Sequence, residues 1–312
     1  MDIQLSAQQQ AVVDCNEPRI VVKACPGSGK TFSVAACMAR LLRENNLSRH
    51  QGIAAISFTN TACDVIKKEL KETFGYPNVS YPSFIGTIDS FINTYIFLPY
   101  AHLVMGCDCR PEIVGTEFNK WFDYDPTQTR YIRGKHGEKI ITSRDANYYF
   151  DLISFGLNDQ LLRLAPYHAY HFGKADWENP NKKDGSPKKI ISELKEMKWK
   201  HFNAGKVNQA DAIYFTFRIL DKYPSIAQNI VRRFPILIID EAQDTTELQM
   251  AIIDKLSQCG AESIMLIGDP DQAIFEWNTA NPHLFMEKYN NPNWHSLDLS
   301  ENRRSSEKIC QL

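Results

Sequence analysis

The stretch RIVVKACPGSGKTFSV, residues 19–34, joins a short apolar run to a loop of small residues and then to the start of a helical pattern. Within it ACPGSGKT, Ala24–Thr31, fits the pattern G-x-x-x-x-G-K-[ST] with alanine in place of the first glycine. Small residues let backbone N–H groups surround phosphate oxygens, and a helix that begins near Lys30 points its positive end at them. The stretch therefore predicts a nucleoside triphosphate site in which Lys30 reaches the β- and γ-phosphates and the Thr31 hydroxyl is a ligand of Mg²⁺.

Four continuous apolar runs predict the strands of one sheet, and they occupy residues 19–24, 53–59, 234–242 and 263–269. Such runs are typical of parallel strands that are covered on both faces, whereas half-exposed strands alternate. Helical patterns follow the first three runs, at 31–45, 61–74 and 245–259. Strands that alternate with helices predict an α/β fold with a parallel sheet.

The composition is that of an ordinary globular chain: 312 residues, 43% hydrophobic and 23% charged, with a net charge of −2. No run approaches the ~18 consecutive apolar residues of a membrane span, and the first residues lack the pattern of a signal peptide. We therefore expect a cytoplasmic protein without membrane contact. The scattered cysteines predict free thiols, and a local basic groove for nucleic acid stays compatible with the overall charge.

An acidic pair closes the third apolar run in IIDEAQD, residues 238–244. Ligands of parallel sheets gather beyond the carboxyl ends of the strands, so we expect this pair to face the phosphate loop. Asp240 would then hold the Mg²⁺ that Thr31 also contacts, and Glu241 would orient and deprotonate the attacking water. The combination predicts hydrolysis of the triphosphate, beyond binding alone.

The fourth run ends in IGDPDQAIFEW, residues 267–277. The Gln272 amide is placed to contact the γ-phosphate and a neighbouring element. Phe275 and Trp277 follow closely, and unpaired bases stack on aromatic faces for about 1–3 kcal/mol each. Core packing is the alternative role for these two rings.

Taken together, the motifs resemble those of the UvrD/Rep/PcrA-type helicases of superfamily one. The matching stretches, in the family's order, are LSAQQQAVV (5–13), ACPGSGKT (24–31), SFTNTACDVI (57–66), GTIDSF (86–91), IIDEAQDT (238–245), IGDPDQAIFEW (267–277) and LDLSENRRSS (297–306). The resemblance implies a RecA-like P-loop NTPase fold with a largely helical inserted domain. It places the motor domain at 1–99 and 211–290, the insertion at 100–210, and the start of a second RecA-like domain at 291–312.

The resemblance also implies roles for individual residues. The catalytic set is Lys30, Glu241, Gln272 and Arg304. The nucleotide-binding set is Gln9, Ala24, Cys25, Pro26, Gly27, Ser28, Gly29, Lys30, Thr31, Phe32, Asp240 and Arg303. The DNA-binding set is Phe58, Thr59, Asn60, Thr87, Asp89, Phe275 and Trp277, and the metal ligands are Thr31 and Asp240.

Some of these positions depart from the family pattern. Phe32 stands where relatives often have arginine, and Arg303 replaces a tyrosine that commonly stacks on adenine, although an arginine plane also stacks on a base. Asp89 and Asn278 stand where histidine and arginine are common. Residues 1–312 do not include the family's later motifs, so we expect these residues alone to bind ATP and Mg²⁺ but to hydrolyse ATP slowly.

The resulting hypothesis is an ATP-dependent 3′–5′ DNA helicase or translocase that acts on single-stranded or 3′-tailed duplex DNA. An alternative is an ATP-gated DNA-binding subunit that regulates a nuclease, since FIGTIDSFINTYIFLPY (84–100) resembles compact UvrD-like proteins of Gabija-type anti-phage systems. A P-loop kinase would explain the phosphate loop but leave the other motifs without a role.

Overall fold

We describe the protein from a computed structural model. The structure describes residues 4–44, 46–79, 81–114, 132–133, 139–141, 153–163, 195, 198–273 and 281–302. The chain divides into two compact units, of which one comprises Met1–Tyr95 with Leu220–Leu312 and the other Ile96–Ile219.

A six-stranded parallel sheet is the centre of the first unit. Its strands are β1 (Arg19–Ala24), β2 (Ile53–Ser57), β3 (Phe84–Thr87), β10 (Ile236–Ile239), β11 (Ser263–Gly268) and β12 (His295–Leu299). Their order across the sheet is β12-β1-β11-β10-β2-β3, and every neighbouring pair runs parallel. The predicted α/β fold with a parallel sheet is confirmed.

Helices cover the sheet. Those of the first unit are α1 (Ala7–Asp14), α2 (Lys30–Glu44), α3 (Asn60–Glu72) and the helices Ile88–Ile92, Pro224–Arg233, Glu247–Gln258 and Pro282–Tyr289. Residues of β1, β2 and α2 supply much of the buried core, in which Val22, Val34 and Ile53 have no exposed surface. Continuous burial of these strands explains why their sequences carry no polar alternation.

The two edge strands, β3 and β12, have no counterpart among the four predicted runs. Strand β3 is half-buried throughout, and the sequence of β12, HSLDL, is exposed at three of its five positions. An edge strand has only one neighbour, so it lacks the continuous apolar run that marks the central strands. Strand β12 also shows that residues 295–299 are part of this sheet, whereas the sequence predicted that a second RecA-like domain begins at residue 291. The domain division as a whole stays a prediction.

The described part of the second unit contains paired strands as well as helices. The pairs are β4 (Glu112–Ile113) with β9 (Lys206–Val207), β5 (Ile132–Arg133) with β6 (Lys139–Ile141), and β7 (Ile153–Phe155) with β8 (Leu161–Arg163). Its helices include Leu98–Tyr100, His102–Met105 and most of Gln209–Lys222, and a π-helix, Asn93–Phe97, spans the division between the units. Of all the helices in the described ranges, none has the length and apolar character needed to cross a membrane.

Candidate functional site

The predicted motifs of the first unit follow the carboxyl ends of the parallel strands. The phosphate loop comes after β1, the FTN stretch after β2, Asp240 directly after β10 and Asp269 directly after β11. Because the strands are parallel, these ends lie at one edge of the sheet. The fold therefore brings together residues that are more than two hundred positions apart in the chain.

The phosphate loop is shaped by two glycines with positive φ, Gly27 at 76° and Gly29 at 81°. Glycine adopts this left-handed conformation without the steric cost that other residues meet. The Ser28 N–H and hydroxyl both donate to the Cys25 carbonyl, at 3.2 and 2.8 Å. Helix α2 begins at Lys30, so the loop ends at the positive end of a fifteen-residue helix.

Lys30 lies among acidic side chains at this edge. Its Nζ is 3.3 Å from Oε2 of Glu241 and 3.9 Å from Oδ2 of Asp269, and the residue is 9% exposed. The buried ammonium makes no hydrogen bond within the described part of the chain. A desolvated cation with unused donors is costly, and phosphate oxygens at the positive end of the helix are ligands that would satisfy it.

Thr31 and Asp240 form the second contact across the site. The Thr31 hydroxyl donates to Oδ2 of Asp240 at 3.2 Å, and the Glu241 N–H donates to its Oδ1 at 3.0 Å. Burial, followed by the neighbouring Glu241 charge, raises the pKa of the fully buried Asp240 carboxyl to about 7. A divalent cation would favour the ionised form of this carboxylate.

The oxygen donors fit Mg²⁺. Within the ranges that the structure describes, no cluster of three or more His, Cys, Asp or Glu side chains could hold a metal ion. Mg²⁺ commonly uses one or two protein carboxylates, water and substrate phosphates, so a single carboxylate with one hydroxyl suits it.

Gln243 links the two acidic strand ends and was not singled out by the sequence motifs. Its Nε2 donates to Oε2 of Glu241 at 2.8 Å, and its Oε1 accepts from the Asp269 N–H at 2.9 Å. Gln243 is 1% exposed and Asp269 fully buried, where burial raises the pKa of the Asp269 carboxyl. The signal for both residues was present, since Gln243 lies two positions after Glu241 and Asp269 directly follows the fourth apolar run.

Gln9 and Phe32, which were predicted to bind the nucleotide, both contact other residues of the protein. Gln9 is 2% exposed, and its Nε2 donates to the Ser28 carbonyl at 3.2 Å while its Oε1 accepts from the Ser6 N–H at 3.1 Å. The Phe32 ring packs against Phe74 with centroids 5.6 Å apart. Gln9 therefore contacts the phosphate loop itself.

The predicted DNA contacts that the structure describes lie after β2 and β3. Ser57 and Thr87 are register partners at the ends of these neighbouring strands, so the Phe58 and Thr87 segments are adjacent. Phe58 is half-buried, whereas Thr59 and Asn60 are exposed. The predicted contact Asp89, which is half-buried, lies in the first turn of the helix Ile88–Ile92.

Two threonine hydroxyls of these segments have structural roles. The Thr59 side chain accepts from the Ala62 N–H and caps α3, and the Thr87 side chain accepts from the Ser90 N–H and caps the next helix. Capping satisfies backbone donors that helix starts leave unpaired. The structure brings these segments together but leaves their contact with DNA a prediction.

Gln272 ends the short 3₁₀ helix Pro270–Gln272, and its N–H donates to the Asp269 carbonyl at 3.0 Å. The backbone of Gln272 is thus held next to Asp269, whose carboxylate lies 3.9 Å from the Lys30 ammonium. Four further predicted site residues lie outside the described residues: Phe275, Trp277, Arg303 and Arg304.

Comparisons with known proteins agree with this geometry. The family model of the UvrD/REP helicase N-terminal domain matches residues 5–293. The chain is 24% identical to ATP-dependent DNA helicase PcrA of Bacillus subtilis over 98% of its length, and the match covers 38% of that relative. DNA helicase II of Escherichia coli is 25% identical over 98% of the chain and 39% of the relative. The chain thus spans about two fifths of the length of these two proteins.

A third relative matches a shorter part. It is an ATP-dependent helicase/nuclease subunit of Natranaerobius thermophilus, which is 31% identical over 114 residues. These residues are 34% of this chain and 9% of that protein.

Proposed function

The chain belongs to the UvrD/REP helicase family, and on this premise we propose that it is the ATP-binding amino-terminal portion of a 3′–5′ DNA helicase or translocase. The main support is the position of Lys30, whose buried Nζ lies between Glu241 and Asp269 with no hydrogen bond among the described residues. A phosphate-binding cation, a hydrolytic carboxylate and a metal-binding carboxylate would then occupy one edge of the sheet.

ATP would be bound by the phosphate loop. The N–H groups that precede α2 and the Lys30 ammonium would contact the phosphates, while Thr31 and Asp240 would hold Mg²⁺. When bound, the cation would neutralise charge that develops on the phosphate oxygens. Gln9 would support the conformation of the loop through its bond to the Ser28 carbonyl.

Glu241 would act as the general base for hydrolysis. Its carboxylate is partly exposed, and the Gln243 amide fixes Oε2. A carboxylate in this position accepts a proton from water as the water attacks the terminal phosphorus. Gln272 and Arg304 would contact the γ-phosphate, and hydrolysis would remove that contact.

Single-stranded DNA would lie near the ends of β2 and β3. Phe58 would stack on a base, with Thr59, Asn60, Thr87 and Asp89 close to the strand and Phe275 and Trp277 as further stacking surfaces. Because β2 is the neighbour of β10 in the sheet and β3 follows it, a change at Asp240 and Glu241 would reach these segments through the sheet. The presence and hydrolysis state of the nucleotide would thereby alter the affinity for single-stranded DNA.

The test is ATP hydrolysis by the protein extended past residue 312, with and without single-stranded DNA, together with strand displacement on a 3′-tailed duplex. We expect DNA to stimulate hydrolysis, with Lys30→Ala as the inactive reference. Absence of stimulation in an active preparation would contradict a motor function.

A regulatory role in a nuclease complex is the second candidate, favoured by the similarity to a helicase/nuclease subunit. In that role the same site would control a partner nuclease through ATP binding and hydrolysis, without strand displacement. Co-purification of a nuclease with the native protein, with ATPase activity but no unwinding, would support it. Unwinding by the isolated monomer would exclude it.

A further inference from the structure

Two cysteines lie on either side of Asp108 in the sequence GCDCR, residues 106–110, which belongs to the second unit. The chain bends at Asp108 and Cys109, between the helix His102–Met105 and strand β4. The Cys107 thiol donates to the Cys109 carbonyl at 3.5 Å, and both cysteines are free thiols. The bend therefore turns the first thiol back toward the second cysteine.

The two thiols differ in their access to solvent. Cys107 is 3% exposed, whereas Cys109 is the only exposed cysteine among those that the structure describes. Burial, followed by the neighbouring Cys109 thiol, raises the pKa of the Cys107 thiol, and a hydrogen bond with the Cys109 side chain raises this pKa as well. The pair thus consists of one accessible thiol and one buried thiol that interact directly.

Contacts with the segment before β9 hold the bend in place. A Cβ added at Gly205 would lie 2.5 Å from Sγ of Cys109, so the sulfur rests directly on the glycine backbone. The Glu112 N–H donates to the Gly205 carbonyl at 2.7 Å, at the start of the pairing between β4 and β9. The fold therefore fixes the loop that carries both thiols.

We propose that Cys107 and Cys109 are a redox site, at which a hydroperoxide oxidises the two thiols to a reversible disulfide. The exposed Cys109 reacts first, and the buried Cys107 closes the bond. Cysteines that react with oxidants are typically accessible to solvent and lie beside a second cysteine. The inference goes beyond the proposed function and does not depend on the nucleotide site.

The chemistry balances in two steps. The Cys109 thiolate attacks one oxygen of the hydroperoxide, the O–O bond breaks, and the products are a sulfenic acid on Cys109 and a water or alcohol that takes up a proton. The Cys107 sulfur then attacks the Cys109 sulfur and displaces hydroxide, which leaves as water with the proton of the Cys107 thiol. Both sulfurs are oxidised, the peroxide is reduced, and a dithiol reductant reverses the change by thiol–disulfide exchange.

The position of the two cysteines suits this bond. A disulfide needs Cα atoms no more than ~7 Å apart, and residues two positions apart cannot exceed about that separation even in an extended chain. A bend between them shortens the separation further. Because the second thiol is already beside the first, the closing step is intramolecular and competes well with further oxidation of the sulfenic acid.

The experiment treats the purified, fully reduced protein with a small excess of hydrogen peroxide, blocks the remaining thiols with an alkylating reagent, and analyses tryptic peptides by mass spectrometry. The peptide 72–120 contains Cys107 and Cys109 and no other cysteine. We expect this peptide to lose the mass of two hydrogen atoms and to escape alkylation, and dithiothreitol to restore both thiols. Oxidation of the pair should be at least about tenfold faster than oxidation of the other cysteines, because the exposed thiol reacts first.

Serine variants assign the role of each thiol. Cys107→Ser keeps the hydroxyl donor to the Cys109 carbonyl but cannot form the disulfide, so dimedone should label the sulfenic acid of Cys109 several-fold more than in the wild type. Cys109→Ser should give neither a disulfide nor dimedone labelling of Cys107. Cys259→Ser is the matched control, since the Cys259 thiol also donates to a carbonyl, that of Pro224 at 3.9 Å, and it should leave oxidation of the pair unchanged.

The wild-type measurement alone decides the inference, whatever the stability of the variants. Oxidation that stops at sulfenic or sulfinic acid on Cys109, a disulfide from Cys109 to a cysteine other than Cys107, or equal rates for the pair and Cys259 would overturn it. A peptide 72–120 that resists the peroxide would overturn it as well. None of these results bears on ATP binding, which is measured separately.

Discussion

Glu241 has a backbone conformation that is unusual for a residue with a side chain. Its φ of 56° and ψ of 38° lie in the left-handed region, and it is the second residue after the end of β10. Non-glycine residues in this region are uncommon and concentrate at functional sites, where surrounding contacts compensate for the cost. Here the Gln243 amide and the Lys30 ammonium hold the side chain, which points to a fixed direction for the carboxylate.

Replacing the Glu241 carboxylate tests the proposed base. In Glu241→Gln we expect hydrolysis to fall about 10²- to 10⁴-fold, because the amide cannot accept the water proton. ATP affinity should stay within a few-fold, since the amide keeps the shape of the side chain. Steady-state ATPase and equilibrium binding measure the two quantities, and a variant that keeps its full rate would rule out this role.

Gln243 should act on the rate through Glu241. In Gln243→Leu the Asp269 N–H and the Glu241 carboxylate lose their partner, so we expect about 1–3 kcal/mol of lost stability and a kcat at least tenfold lower. The KM for ATP should change little. The measurement is kcat and KM beside a denaturation curve.

Gln249→Leu is the matched control for Gln243→Leu. Gln249 is also buried, at 4% exposure, and its Oε1 accepts from the Thr246 N–H in a capping box. It should lose comparable stability with kcat unchanged. A similar fall of kcat in both variants would mean that general destabilisation, and not the orientation of Glu241, explains the effect.

At the scale of elements, helix α1 lies so close to the phosphate loop that a side chain at Gly29 would contact Gln9. A Cβ added at Gly29 would lie 2.8 Å from Nε2 of Gln9, which is closer than side chains approach. Gly29 therefore serves two needs, the positive φ of the loop and the close approach of α1. The bond from Gln9 to the Ser28 carbonyl uses the same narrow space.

Comparing Gly29→Ala with Gly75→Ala should distinguish the effect of the positive φ from the effect of the close contact with Gln9. Gly75 has a φ of 77°, close to the 81° of Gly29, but nothing lies within 4 Å of a Cβ added there. We expect Gly75→Ala to lose roughly 1–2 kcal/mol of stability from the left-handed backbone alone, with ATP affinity unchanged. Gly29→Ala should lose at least as much stability, and its ATP affinity should fall more than tenfold.

Calorimetric titration with ATP and thermal denaturation measure both effects. Equal behaviour of the two alanine variants would mean that the contact with Gln9 has no bearing on nucleotide binding.

At the scale of the whole molecule, the second unit is held by a buried charged pair. Nζ of Lys198 is 2.9 Å from Oδ2 of Asp211, and both side chains have no exposed surface. Asp211 also accepts from the Ser154 hydroxyl and the Asn208 N–H, each at 2.9 Å. The network joins β7, the helical segment at 198–203 and the helix Gln209–Lys222.

Removing the cation should destabilise this unit strongly. Lys198→Met leaves a buried carboxylate with less compensation, so we expect a loss of about 3–5 kcal/mol, seen as faster amide hydrogen exchange in the helix Gln209–Lys222. The exposed Lys195→Met is the control and should change stability by less than about 0.5 kcal/mol.

His201 gives a second readout of the same variant. Burial, followed by the charges of Lys206 and Lys198, lowers the pKa of His201 to about 4. Loss of the Lys198 charge should raise that pKa, which an NMR titration of the folded protein would show. An unchanged exchange rate together with an unchanged pKa would contradict this account of the network.

The sequence by itself determined the central strands and the phosphate loop, because the signals for both are local. Runs buried on both faces identify β1, β2, β10 and β11 without knowledge of their neighbours. The spacing of Gly29, Lys30 and Thr31 after β1 likewise specifies a phosphate-binding turn on its own.

Only the tertiary structure decided which side chains meet. The edge strands β3 and β12 have little apolar sequence because each has one neighbour, so their places follow from pairing with β2 and β1. The links from Gln243 to Asp269 and from Gln8 to Ser300 join residues that are 26 and 292 positions apart. Hydrogen bonds depend on distances of about 3 Å, and no local pattern fixes a distance between residues that only the sheet brings together.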